Sequence, residues 1–186
     1  ISIIICTHNP RADYIERVLQ ALKSQTLSRQ SWELLLIDNA SISPLSEQID
    51  LSWHSNARHI REDNLGLTPA RIRGFEESQA GLLIFVDDDN ILNEDYLEIA
   101  LTINSDYPFI GAWGGQILPE FEEPPPEWTK KYWKFLAIRE FDQDRWSNFD
   151  TITCGAGLCV QRLVAQKYKE MAGNDSKRLS LDRKGN

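Results

Sequence analysis

The sequence predicts an α/β fold with a mostly parallel, Rossmann-like central sheet flanked by helices. Apolar runs of strand length, at residues 1–6, 32–37 and 81–86, alternate with segments whose apolar residues recur at helical spacing. Two of these runs lead straight into acidic residues, at Asp38 and Asp87. Parallel strands joined by helices end at one edge of the sheet, where such folds bind ligands. That edge is therefore the predicted site.

The N-terminal elements follow from local signals. Residues 1–6 form the first strand, and a helix runs from behind Asp13 to about Gln25. Residues 32–37 form the second strand, and residues 57–61 a weaker third strand after a short helix near Pro44. Thr68 and Pro69 predict the cap and first residue of a helix that carries Arg71 and Arg73. Residues 81–86 form the fourth strand.

The C-terminal elements are less regular. Asn93 is expected to open a helix, and residues 109–118 read as a strand interrupted by glycines. From Pro119 we expect a flexible crossing and then an amphipathic helix, with Trp128 and Trp133 packed on the sheet. A glycine-rich turn at residues 154–159 is expected to follow a strand. Residues 164–171 are predicted to form the last helix.

The loop after the fourth strand carries the most specific chemistry. Asp87, Asp88 and Asp89 follow six apolar or glycine residues without a break. Carboxylates so close together repel one another unless protons, solvent or a cation compensate them, and a divalent metal is the economical solution. The alternative is a solvated acidic turn whose charge supports the helix predicted at Asn93. The pattern alone leaves both interpretations open.

Composition and net charge limit the classes of binding partner and the cellular compartment that we expect. The 186 residues are 41% hydrophobic, which is typical of one folded domain, and their net charge of −8 disfavours nucleic acid or an anionic membrane as the main partner. Cys6, Cys154 and Cys159 have no disulfide or zinc spacing, so we expect reduced thiols and a cytoplasmic protein. No apolar run approaches the roughly 20 residues of a membrane span. Because the chain begins inside an apolar run, we expect a truncated piece of a longer parent, which could itself be membrane-associated.

Five motifs occur along the chain in a characteristic order, at residues 3–10, 37–41, 64–66 with 70–74, 85–89, and 155–157. In these motifs the chain resembles the inverting nucleotide-sugar glycosyltransferases of family 2, which have the GT-A fold. The resemblance covers nearly the whole chain and is weakest at its last motif.

The resemblance implies roles for particular residues. Thr7 and Asp38 would line the nucleobase pocket, with Asp38 bonded to the base, and Arg71 would lie near the nucleotide and the metal-site carboxylates. In the Asp-x-Asp (DXD) motif, Asp87 and Asp88 would face the ribose and diphosphate, while Asp89, together with Asp87, would ligate Mn²⁺ or Mg²⁺. Asn9 belongs to the same nucleotide-sugar-binding set.

The resemblance also implies an activity. The enzyme would move a sugar from a nucleotide-diphosphate sugar, preferably a uridine diphosphate sugar, to a hydroxyl of a saccharide, lipid or other acceptor, with inversion. Residues 1–118 would form the nucleotide-binding part of a single GT-A domain over 1–186, and residues 119–186 the acceptor side. The family's catalytic base usually lies in an acidic pair beyond the glycine-rich turn. Here Asp175 and Asp182 stand alone, so we expect the base outside this chain.

Two alternatives remain. A catalytically incomplete sugar-nucleotide-binding module would have the same motifs without a base. A nucleotidyltransferase could share the sheet and the acidic loop, but such an enzyme would require a glycine-rich, basic loop after the first strand. Residues 7–10 contain no glycine, which disfavours this enzyme class.

Overall fold

The computed structural model describes residues 1–138, 140–146, 153–172 and 175. Within these ranges one mixed sheet has six strands, β1 (Ser2–Thr7), β2 (Glu33–Asn39), β3 (Ala57–Glu62), β4 (Leu82–Val86), β5 (Ala112–Trp113) and β6 (Leu158–Gln161). Their order is β3-β2-β1-β4-β6-β5. The first four run parallel, while β6 is antiparallel to both β4 and β5. The predicted mostly parallel α/β sheet is confirmed.

Helices connect and cover these strands. The α-helices are α1 (Ala12–Lys23), α2 (Leu67–Glu77), α3 (Tyr96–Asp106) and α4 (Arg162–Ala172). Shorter 3₁₀ turns occur at Arg29–Ser31 and Leu45–Glu47, and a longer 3₁₀ helix spans Glu127–Leu136.

The central strands are apolar on both faces because helices cover both. Ile3, Ile5 and Leu36 pack in a cluster with α1 and α3, whereas Ile4 and Leu35 pack in a second cluster that includes residues of α2 and α4. These five side chains are fully buried. Each contributes about 1.5–3 kcal/mol relative to an exposed position. The alternation of faces thus yields a three-layer arrangement in which the strand ends, and not the faces, remain open to ligands.

Two predicted helix starts are wrong, and tertiary contacts explain both. Helix α2 begins at Leu67, so Thr68 and Pro69 are its second and third residues and not its cap and first position. The cap position is Gly66, whose N–H donates to the buried side chain of Asn39 at 2.8 Å. A side chain that is distant in sequence therefore decides where this helix starts.

Helix α3 begins at Tyr96, three residues after the predicted start at Asn93. The side chain of Gln25, beyond α1, accepts the N–H of Leu97 at 3.1 Å and donates to the carbonyl of Asn93 at 2.7 Å. Glu94 also accepts a backbone bond from Thr26 at 2.7 Å. The α1 end thus holds residues 93–95 outside the helix.

The C-terminal predictions need larger corrections. Residues 109–118 form only the two-residue strand β5. The glycine-rich turn leads into β6. The strand predicted to precede the turn was given no bounds, and residues 147–152, just before the turn, lie outside the described residues. Trp128 is 66% exposed, so its predicted packing is wrong, because the helix Glu127–Leu136 lies on the surface and buries none of its residues. Trp133 is half-buried against Phe121, with ring centroids 5.1 Å apart.

Candidate active site

The carboxyl ends of three adjacent parallel strands bring the predicted polar residues to one edge. Thr7, the last residue of β1, is paired in register with Asp38 of β2. On the other side of β1, Ile5 is paired with Val86, the last residue of β4, so the acidic loop begins beside the end of β1. Parallel pairing alone therefore collects side chains from three separate motifs.

Thr7 connects the first strand to the acidic loop. Its side chain is buried, and its hydroxyl donates a hydrogen bond to Oδ2 of Asp88. Burial raises the pKa of Asp88; the bond from Thr7 opposes this shift, and the nearby charge of Asp89 adds to it. Asp88 is thus held in place by a neutral donor that does not neutralise its charge.

Among the described residues, Asp87 forms one ion pair, with Arg71. Nη2 of Arg71, from α2, lies 3.8 Å from Oδ1 of Asp87, and the guanidinium also lies over the Phe85 ring at 5.8 Å. Burial raises the pKa of Asp87; Arg71 opposes the shift, and the charges of Asp89 and Asp88 reinforce it. A single arginine at this distance does not offset the crowding of the carboxylates.

The glycine-rich turn closes on this pair. A Cβ atom added at Gly155 would lie 2.4 Å from Nη2 of Arg71 and 3.3 Å from Oδ2 of Asp87. Only a residue without a side chain permits this approach without displacing Arg71. The turn before β6 is therefore part of the wall around the acidic loop.

The loop offers hard oxygen ligands that fit a divalent metal. Asp89 is exposed, and the backbone of Asn90 bonds back to the carbonyl of Asp87 at 3.2 Å. Oδ1 of Asn90 is buried and has no hydrogen-bond partner among the described residues. Within those residues no group of three or more His, Cys, Asp or Glu side chains converges to hold an ion. One or two carboxylates suffice where phosphate oxygens and water complete the coordination, so these residues fit Mn²⁺ or Mg²⁺ bound together with a nucleotide.

Asp38 has a different environment. It is almost fully buried, and it accepts bonds from the backbone N–H groups of Ser41 at 3.0 Å and Leu45 at 3.1 Å. Arg61 donates to the same carboxylate at 2.8 Å. Burial alone would raise the pKa of Asp38, but these bonds outweigh it and hold the pKa below its usual range. The carboxylate is therefore charged and firmly oriented.

Asn39 is a structural residue that the sequence analysis missed. Its buried amide donates to the carbonyls of Glu62 at 3.2 Å and Asn64 at 2.8 Å, and its oxygen accepts the N–H of Gly66. It thereby links the end of β2 to the start of α2, which carries Arg71. The only sequence signal was its position inside the motif at residues 37–41.

Asn9 lies at the rim of the site in a left-handed conformation, with φ of 48°. Its N–H donates to the hydroxyl of Ser41 at 3.0 Å, and its side chain accepts the N–H of Ile42 at 2.9 Å. Beside it, Nδ1 of His8 is 2.7 Å from the carbonyl of Asn39. Since a carbonyl only accepts, Nδ1 carries a proton. These contacts join the loops after β1 and β2 into one wall.

Comparison with known proteins identifies a family for this chain. The sequence model described as glycosyl transferase family 2 matches residues 2–165. The chain belongs to glycosyl transferase family 2. The matched span includes every predicted site residue.

Relatives in this family are longer proteins. Glycosyltransferase AglE of Haloferax volcanii is 30% identical over 101 residues, which is 53% of this chain and 33% of that protein. Glucosyl-dolichyl phosphate glucuronosyltransferase of the same organism is 22% identical over 138 residues, which is 72% of this chain and 44% of that protein. The chain spans less than half the length of either relative.

Solved structures share the fold. The mannosyltransferase PcManGT from Pyrobaculum calidifontis, solved in complex with GDP-Man and Mn²⁺, has a TM-score of 0.64 at 17% identity, covering 90% of this chain and 46% of that one. S. aureus TarS (residues 1–349) has a TM-score of 0.62 at 18% identity, covering 90% and 48%. These are GT-A glycosyltransferases, so the family 2 chain has the expected GT-A fold. Among the described residues, no helix is both long and apolar enough to cross a bilayer.

Proposed function

We propose that this chain is the GT-A domain of a metal-dependent, inverting glycosyltransferase that uses a nucleotide-diphosphate sugar, preferably linked to uridine. The observation that carries the proposal is the charge imbalance at the end of β4. Asp87 and Asp88 have raised pKa values beside Asp89, and the described residues provide a single ion pair to these three carboxylates, from Arg71. A divalent cation bound with the diphosphate would offset this repulsion.

The individual residues are assigned the roles that the family resemblance implies, and their contacts support this assignment. Asp38, charged and held by three donors, would accept a hydrogen bond from the base at the β1–β2 side, with Thr7 and Asn9 in the adjoining wall. Asp89 would ligate the metal with support from Asp87, and Asp88 would face the ribose and diphosphate. Arg71 would hold Asp87 in place and attract the phosphates. Residues 1–118 would form the donor side and residues 119–186 the acceptor side.

The reaction would be a direct displacement at the anomeric carbon. When bound, the metal would supply positive charge that stabilises the departing nucleoside diphosphate. The hydrogen-bonded network of Asp38, Asn39 and Ser41 would hold the nucleotide in place while an acceptor hydroxyl attacks from the opposite face of the sugar and loses its proton to a carboxylate base, which we expect outside this chain. The nucleoside diphosphate would leave as the bond to the sugar breaks. The acceptor would be a saccharide, a lipid or another hydroxyl compound. The three cysteines have no disulfide spacing in the sequence, which supports a reducing compartment such as the cytoplasm.

A catalytically incomplete nucleotide-sugar-binding module is the second candidate. The observation in its favour is that no two acidic residues are adjacent after Gly157, where Glu170, Asp175 and Asp182 are the acidic residues. This candidate predicts the same donor binding without transfer. Because we expect the catalytic base outside this chain, a longer form of the protein is incubated with a uridine diphosphate sugar, Mn²⁺ and a panel of acceptors. Only the enzyme forms a glycosylated product, so this assay distinguishes the two candidates.

Calorimetric titration tests the shared donor site. Uridine, guanosine and cytidine diphosphates are titrated into the chain with and without Mn²⁺, and into the Asp89→Ala variant. We expect uridine diphosphate to bind best, to require Mn²⁺, and to lose about tenfold or more in affinity in the variant. Asp50→Ala, another exposed aspartate, whose carboxylate accepts the N–H of Ser52, is the matched control and should bind as the wild type does. Nucleotide binding that is absent, or that is indifferent to both Mn²⁺ and Asp89, would contradict the proposal.

A further inference from the structure

Tyr96, the first residue of α3, makes an unusual set of contacts for a helix residue. Its hydroxyl donates to the carbonyl of Gly157, and its ring lies beside Gly115, where an added Cβ atom would be 3.4 Å from the ring. Burial raises the pKa of Tyr96, so the hydroxyl keeps its proton at neutral pH and can donate it. One side chain thus joins α3 to the segments that follow β5 and precede β6.

The backbone lies close to the Tyr96 side chain at both Gly157 and Gly115. A Cβ atom at Gly157, whose φ is +71°, would lie 2.8 Å from the Tyr96 hydroxyl, and one at Gly115 would lie 3.4 Å from the ring. Gly157 therefore lacks a side chain for two reasons, its left-handed conformation and this contact. The buried thiol of Cys159 lies 4.0 Å from the same hydroxyl and completes the pocket around it.

The same turn reaches the acidic loop from its other end. Gly155, two residues before Gly157, lies against the guanidinium of Arg71 and the carboxylate of Asp87. The N–H of Leu158 bonds back to the carbonyl of Gly155 at 3.5 Å, so the turn is short and closed. A shift at Gly157 is therefore transmitted to the Arg71–Asp87 pair over a few bonds.

We propose that Tyr96 is a positioning residue for the donor site, which holds the Gly155–Gly157 turn against Arg71 and Asp87. This inference rests on the proposed function, because it assigns the diphosphate and metal to that pair. Tyr96 does not touch the nucleotide in this account. It acts on the metal and diphosphate half of the site and leaves the half around Asp38 unchanged.

The test uses the whole 186-residue chain and the Tyr96→Phe variant, which keeps the ring and removes the hydroxyl. Two ligands are titrated calorimetrically, uridine diphosphate with Mn²⁺ and uridine monophosphate without metal. We expect the first affinity to fall about five- to thirtyfold, the size expected for losing one buried hydrogen bond and leaving the Gly157 carbonyl unsatisfied, and the second to stay within about twofold. Tyr107→Phe, the same exchange at the exposed end of the same helix, should leave both unchanged.

A second variant approaches the turn from the other side. Gly155→Ala places a methyl group against Arg71 without touching Tyr96, and it should cause the same selective loss. Equal losses for both ligands would identify a merely structural role for Tyr96, and unchanged binding by Tyr96→Phe would also overturn the inference. If the wild type itself binds no nucleotide with Mn²⁺, the proposed function fails first. The two failures are thereby distinguishable.

Discussion

Asp38 and Asp87 are the same residue type at the ends of two strands of one parallel sheet, yet their environments are opposite. Asp38 is almost fully buried and accepts bonds from Ser41, Leu45 and Arg61, and its pKa is lowered. Asp87 is 43% exposed at its side chain, faces Arg71 at 3.8 Å, and its pKa is raised. The charged form of Asp38 is stabilised by its hydrogen bonds within the fold, whereas the charged form of Asp87 is destabilised unless a cation binds beside it. An acidic residue at the end of a strand therefore indicates a cation-binding site only when its hydrogen-bond and ion-pair partners are also known.

The largest expected difference concerns the loss of charge at Asp38. Asp38→Asn replaces an acceptor-only group with one that also donates, facing three donors, and should lower the free energy of unfolding by about 2–4 kcal/mol. Urea denaturation at pH 7 measures this change. Asp63→Asn is the control, because Asp63 bonds the same Arg61 at 2.9 Å but is 85% exposed, and it should change stability by less than about 0.5 kcal/mol. Equal effects of the two substitutions would contradict the structural role assigned to Asp38.

The next largest expected difference is in the pH dependence of the free energy of unfolding, to which Asp38 and Asp87 should contribute with opposite sign. A lowered folded-state pKa means that the contribution of Asp38 is present above the unfolded value, about 3.9, and is lost as pH falls through the folded value. The raised pKa of Asp87 has the opposite sign, since its charged form costs stability that is recovered on acidification. Unfolding curves of both asparagine variants between pH 3 and pH 7 are compared with the wild type. The deficit of Asp38→Asn should shrink toward acid, and a constant deficit would show that ionisation is not its cause.

The smallest expected effect is a gain in stability. Without metal, Asp87→Asn removes a repelled charge and should raise the free energy of unfolding at pH 7 by about 0.5 kcal/mol, a small value because solvent screens this half-exposed group. Asp13→Asn is a control of opposite sign, because Asp13 is paired with Arg11 at 2.7 Å and its pKa is lowered. Destabilisation by Asp87→Asn would mean that the ion pair with Arg71 outweighs the repulsion.

The sequence predicts the parts of this comparison that depend on periodicity and order. The apolar runs of β1, β2 and β4 and the parallel arrangement follow from local patterns, and parallel pairing then brings Thr7, Asp38 and Asp87 to one edge. The sheet could therefore be predicted from composition and from the spacing of apolar residues.

The difference between the two aspartates could not be predicted, because it depends on contacts far apart in the chain. Arg61 reaches Asp38 across 23 residues, and Asn39 reaches Gly66 across 27. Tyr96 meets Gly157 across 61 residues, and no local signal links them. The predicted start of α2 is wrong for the same reason, because the start is determined by Asn39 and not by Thr68. Long-range polar bonds thus set both the helix starts and the charges at the site.

The most direct test of the central claim is the amount of Mn²⁺ that the chain retains in equilibrium dialysis, with uridine diphosphate at equal free concentration on both sides. The account predicts about one excess Mn²⁺ per chain for the wild type and for Asp63→Asn, and none for Asp89→Ala. It also predicts that the excess disappears when the nucleotide is omitted, because phosphate oxygens complete the coordination. Retention that is unchanged in Asp89→Ala would contradict the assignment of the metal to the loop after β4.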